Sequence, residues 1–214
     1  MKMHFAGFLL LATCFLGLAT PAWSIETRPD TLVDKTAQEV LAIVRQDKEI
    51  QAGNTARILD LVEAKILPHF DFNRMTRLAM GKNWGKASSD QQQQLVKEFR
   101  TLLIRTYSNA LTTYRDHTIT VEPLKDLGDS IDTTVKTKVI QDQGQQPVPI
   151  DYSMEKTNDG WKVYDVTVAG VSLVTNYRST FNNQVRDGGV EKLLKTLVDK
   201  NRSLIANDKK AAAQ

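Results

Sequence analysis

Cysteine is nearly missing from this chain: Cys14 is the single one among 214 residues. It lies in an N-terminal segment expected to be removed, so the mature chain carries no disulfide, thiolate ligand or cysteine nucleophile. Histidine is scarce as well. Beyond that segment only His69 and His117 remain, and neither has the one-turn spacing of a metal-ligand pair. Gly81 and Gly85 flank Lys82 and Trp84 without the pattern of a phosphate cradle. Charge is close to balanced. The formal net charge of +3 falls by one unit when Lys2 is lost, and no basic run interleaved with aromatics points to nucleic acid.

Long apolar runs are also absent, with one exception. Phe5 to Ala19 gives about 15 residues, shorter than the roughly 20 a membrane-spanning helix needs. Lys2 precedes it and Ala22-Trp23-Ser24 follows as a small-x-small site. This predicts a secretory signal peptide over 1–24, cleaved after Ser24, with no lipid anchor. Leu11-Ala12-Thr13-Cys14 is close to a lipobox, but Thr13 is poorly suited to it and the apolar run continues past the cysteine. The organisation expected is a signal peptide at 1–24, one domain at 25–206 and a flexible polar, alanine-rich tail at 207–214.

Catalytic constellations are not legible either. Gly170-Val171-Ser172-Leu173-Val174 lacks the second glycine of a nucleophile elbow, so Ser172 reads as a helix N-cap. Asp159 and Asp165 fall in a turn and on a strand and form no carboxylate pair. Neither an enzyme nor a cofactor is expected.

What is present is organised around Val148 to Phe181. Ile150, Tyr152 and Met154 alternate with Asp151, Ser153 and Glu155, the period of a half-buried strand. Thr157 to Gly160 allows a hairpin. The return strand, Trp161 to Val168, carries Trp161 and Val163 on one face and Tyr164, Val166 and Val168 on the other. Apolar on both faces, it is expected at the centre of the sheet. Ser172 then opens a helix with Leu173, Tyr177, Phe181 and Val185 at four-residue spacing.

Upstream, helices are expected over 31–46 with Thr31 and Asp34 as a capping box, from Asn54 to Pro68, from Asp71 to Gly81, and from Ser89 to about Tyr114. The last would span roughly 38 Å. Strands follow at 119–121 and 131–140, and Gly188-Gly189 breaks the chain before a final helix. The fold class is α+β, a single domain with helices packed on a twisted antiparallel sheet of about four strands.

The surplus of large apolar side chains fits either a filled core or one that opens into a cleft, and spacing does not separate the two. The surfaces that would line a cleft are Leu103, Tyr107 and Leu111 of the long helix, and Ile150, Tyr152 and Met154 of the first hairpin strand. Trp161 and Val163 of the return strand, with Leu173 and Tyr177 after the sheet, complete the candidate lipid-binding set.

A series of segments carries a resemblance: Phe70-Asp71-Phe72, MTRLAMGKNW (75–84), QQQQLVKEFRTLLIRTYSNAL, PVPIDY, WKVYDVTVAGVSLVTNYRSTF and Gly189 to Leu193. Together they resemble the MlaC, or toluene-tolerance, family of periplasmic phospholipid-shuttle proteins, in the same order and over nearly the whole mature chain. The resemblance implies a carrier in the periplasm that exchanges phospholipid, as cargo rather than cofactor, with two partners. These are an outer-membrane lipoprotein–porin complex and an inner-membrane Mla ABC transporter complex. It also implies acyl chains between helices and sheet. An interaction module with a filled core, or a lipid hydrolase using Ser172, are the alternatives.

Overall fold

The computed structural model describes residues 27–113, 116–141 and 146–211. The signal peptide expected over 1–24 lies outside them. Among the described residues no helix is long and apolar enough to cross a membrane.

The first helix, α1 (Pro29–Gln46), begins two residues before the expected Thr31 and does not use the Thr31–Asp34 box. Pro29 occupies its first turn, where a missing N–H costs nothing. Asp30 accepts the amide of Leu124 at 2.9 Å and Arg28 donates to the Leu124 carbonyl at 3.0 Å, tying the helix start to the segment after the first strand. Next comes α2 (Lys48–Gln51), capped by Asp47. Asn54 caps α3 (Thr55–Leu61), as expected. Its continuation is not α-helical: Val62–Ile66 is a π-turn and Leu67–His69 a 3-10 turn running into Pro68. Asp71 caps α4 (Phe72–Met80), which Gly81 closes at φ +52°, a region open to glycine.

Ser88, not Ser89, caps α5 (Ser89–Tyr107), reciprocally with Gln91 in a full capping box. This helix stops well short of Tyr114. The Ser108 hydroxyl donates back to the Ile104 carbonyl at 2.5 Å, the kind of bond that bends a helix, and a separate turn, α6 (Ala110–Thr113), follows. The continuous helix is therefore about 28 Å long, not 38 Å.

The strands are β1 (Thr118–Val121), β2 (Asp132–Ile140), β3 (Val148–Thr157), β4 (Gly160–Val168) and β5 (Val171–Ser172), paired antiparallel in chain order. The fifth, unexpected strand exists because Ala169 and Gly170, at φ +49° and +83°, make a two-residue turn that pairs Val168 with Val171. The sheet centre is β3, not β4. Among the described residues, beyond β4 lie only the two residues of β5 and a parallel bridge between Phe70 and Val163.

The apolar pattern of β4 has a different origin. Met154 pairs with Val163 and Ser153 with Asp165, so a β-bulge inserts Tyr164 and inverts the alternation. Val166 thus joins Trp161 and Val163 in one buried cluster instead of facing away from them. Tyr164 lies under Arg74, whose guanidinium is 3.6 Å from the ring centroid and pairs with Glu155 and Asp132.

The last helix, α7 (Leu173–Ala211), is broken by non-helical angles at Gly188 and Gly189 into arms 173–187 and 190–211. It continues past the tail boundary expected at Ala206. Asp208 pairs with Arg105 and Leu204 packs on the helical core, which holds this turn in place.

Candidate functional site

Three buried clusters form the interior. One joins α4, α5 and α7 around Phe99 and Phe181; one covers the sheet around Val135, Met154 and Val163; one joins α1, α2 and α3 around Val44 and Ile58. Between them lies a cavity of ≈ 340 Å³, within the roughly 300–1,000 Å³ typical of ligand sites. Its floor is one face of the sheet: Ile150, Tyr152 and Met154 of β3, then Val163, Val166 and Val168 of β4. The Tyr164 bulge makes this floor continuous, because without it Asp165 would take the inward place of Val166. The roof is α1, through Val33, Ala37, Val40 and Leu41, with the end of α5 and Leu111 of α6. The π-turn contributes Val62 and Ile66.

No lining residue carries Asp, Glu, Lys or Arg chemistry. Of the polar ones, Ser108 is bonded to its own helix. His69 is kept neutral: burial, then the charge of Lys162, push it below the ordinary imidazole range, against the opposing influence of Glu39. Tyr107, 42% exposed, stands where the wall meets solvent. Such a surface can hold hydrocarbon, and it sets no carboxylate, ammonium or guanidinium against it. Among the described residues no group of three His, Cys, Asp or Glu could hold a metal.

Of the ten residues expected to line a cleft, Leu103, Tyr107, Leu111, Ile150, Tyr152, Met154, Val163 and Leu173 lie on this wall. Trp161 and Tyr177 do not. Trp161 shares the sheet-face cluster but sits at the hairpin end, opposite Lys156, beyond Met154 and Val163. Tyr177 turns into the helical core. Its ring meets Phe99 edge-on at 5.0 Å, and burial with the neighbouring Tyr107 pushes its hydroxyl up to about 12. Four residues on a helix advance about 40° past a full turn, enough to carry Tyr177 from the cavity side occupied by Leu173 to the α5 side.

Sequence reading missed the α1 stripe, the π-turn and the pair Val166–Val168. Nothing in the α1 pattern separates a cavity wall from core. For β4 there was a signal: Asp165 stands at the inward parity of Trp161 and Val163, where a charge has no place, and that conflict marks a bulge.

An open antiparallel sheet roofed by helices over an uncharged apolar cavity defines a class: an α+β binder built for hydrophobic ligands. Among solved structures, the phospholipid-binding protein from Ralstonia solanacearum, in complex with a phospholipid, is similar. It has a TM-score of 0.76 and 36% identity, over 84% of this chain and 99% of that one. The intermembrane phospholipid transport system binding protein MlaC of Haemophilus influenzae is 24% identical over 196 residues, 91% of each chain. The toluene tolerance protein ttg2D of Pseudomonas putida is 28% identical over 184 residues, 86% of this chain and 83% of the relative. The family model described as MlaC protein matches residues 34–199, and the chain belongs to the MlaC family.

Proposed function

We propose that this protein is a periplasmic phospholipid carrier of an Mla-type intermembrane transport pathway, enclosing acyl chains in the cavity between helices and sheet. The observation that carries the reading is the uncharged wall of that cavity, continuous from Met154 and Val163 to Leu173. The phospholipid bound by the Ralstonia relative supports it. Two acyl chains hold on the order of 28 methylenes. At about 0.8 kcal/mol each, their removal from water is worth roughly 20 kcal/mol, which a carrier must match with apolar enclosure. The role is binding and exchange, without catalysis or cofactor, after export and removal of residues 1–24. The membrane-bound partners would be an outer-membrane lipoprotein–porin complex and an inner-membrane ABC transporter complex.

Organic-solvent extraction of protein purified from its native host, followed by mass spectrometry, tests the reading. Phospholipid in near-stoichiometric amount is expected. Protein that carries no lipid, and takes none up from vesicles, would instead be an interaction module.

A further inference from the structure

One end of the cavity differs electrically from the rest. His69 lies on the wall there, beside Phe70, whose bridge to Val163 brings the 67–70 segment against the edge of β4. Trp161 and Val163 are buried on the inward face, so Lys162 between them leaves from the other face. Its ammonium comes round the strand edge and donates to the Pro68 carbonyl at 2.7 Å, next to His69.

The charged groups acting on His69 are Lys162 and Glu39. Glu39 is engaged by Lys65 at 2.5 Å, whereas Lys162 has no carboxylate partner among the described residues. An ammonium has three donors, and one is used. The His69 ring, close enough to feel the Lys162 charge, takes part in no hydrogen bond among the described residues and so has a donor to offer. Elsewhere on the wall Tyr107 brings a hydroxyl only, and Arg105, two residues before it, is held by Asp208. From Val163 to Val168 the apolar floor runs roughly 15 Å away from the His69 end.

We propose that His69 and Lys162 form an anion subsite at the cavity rim, holding the phosphate of a lipid whose acyl chains run along β4. The inference rests on the carrier reading and adds to it a preference for a phosphorylated over an uncharged diacyl lipid. A phosphate placed there accepts from the Lys162 ammonium and from the imidazole, and its negative charge favours the imidazolium.

The test loads lipid-stripped protein separately with phosphatidylglycerol and with diacylglycerol of the same chains, or exposes it to millimolar inorganic phosphate. The His69 titration is followed by NMR in each sample. Phosphatidylglycerol should raise the His69 pKa, while diacylglycerol and inorganic phosphate leave it in place. Lys162→Gln should weaken retention of phosphatidylglycerol about tenfold, the worth of one hydrogen bond to a charged group, and leave diacylglycerol retention unchanged. If both lipids are retained and His69 titrates alike in each, the subsite is wrong and the carrier reading stands. An equal shift with inorganic phosphate alone would make this a free-phosphate site and overturn the lipid assignment. If neither lipid is retained, the carrier reading itself fails and takes the subsite with it.

Discussion

The Ser172 hydroxyl donates to Asp165 Oδ2 at 2.5 Å and accepts the Thr175 amide at 3.0 Å. Asp165 Oδ1 accepts the amides of Val174 at 3.1 Å and Val166 at 2.8 Å. One carboxylate at the β4 bulge thus binds the start of α7 to the sheet it leaves, with Ser172 as intermediary. Ser172 caps a helix, and the one carboxylate beside it, Asp165, is occupied in holding the Val166 and Val174 amides.

Ser172→Ala should cost about 1 kcal/mol, as typical cap losses do. Asp165→Ala, which strands two amides as well as the hydroxyl, should cost about 2 kcal/mol. Thermal melts check both, and lipid per folded molecule should stay at the wild-type level. A hydrolytic activity lost with Ser172 while the fold persists would contradict the carrier reading.

Charge on the cavity wall should expel cargo, because an unpaired carboxylate facing hydrocarbon is strongly disfavoured. Ile150, half-buried on the floor, is the cleaner site: Ile150→Asp should give a folded, lipid-poor protein. Leu103→Asp should lose lipid and stability together, since Leu103 also belongs to the α4–α5–α7 cluster. Bound phospholipid is measured against circular dichroism melting. Full occupancy in Ile150→Asp would place the acyl chains elsewhere.

Trp161 belongs to the sheet-face core but not to the cavity wall. Trp161→Ala should cost about 3–5 kcal/mol, yet the molecules that remain folded should carry as much lipid as before. Lipid loss out of proportion to unfolding would put Trp161 back on the cavity wall.

Tyr177 makes stability depend on alkaline pH. Its hydroxyl is pushed up to about 12 in the folded protein, against about 10 in an unfolded chain. Between those values the unfolded chain releases a proton that the folded protein keeps. Stability is therefore unaffected below pH 10 and falls as pH rises towards 12. Urea midpoints at pH 9 and 11 should show this fall, and Tyr177→Phe should reduce it while keeping the ring contact with Phe99. An identical fall in Tyr177→Phe would assign the alkaline sensitivity to another group.

Much of the fold was readable because it rests on local chemistry. Asn54 and Asp71 cap where they stand, Gly188-Gly189 breaks the last helix, and alternation marks β2 and β3. Failures came where one residue changes phase. Tyr164 inverts the faces of β4, Ser108 cuts α5, and Ala169, with no side-chain preference for positive φ, makes the turn to β5. The cavity was legible as a set of apolar faces but not as a space, because a stripe such as that of α1 reads alike against core or cargo. Helical drift likewise carried Tyr177 away from Leu173, a distinction that four-residue spacing does not express.

Dividing the interior into three clusters has a dynamic consequence. A single core opens as one unit, but clusters that meet around a cavity can separate along it while each stays packed. The arms of α7 grip α4 and α5 from both sides of Gly188, whereas α1 meets β1 and its flanks through polar bonds, Arg28 and Asp30 to Leu124, Gln38 to Ile119 and Arg45 to His117, and packs its apolar side on the two smaller clusters. Slow amide exchange should therefore concentrate in α5 and α7, with α1 and the π-turn opening at lower free energy. The cavity then widens from the α1 side, on a hinge the helical core does not have to unfold to provide.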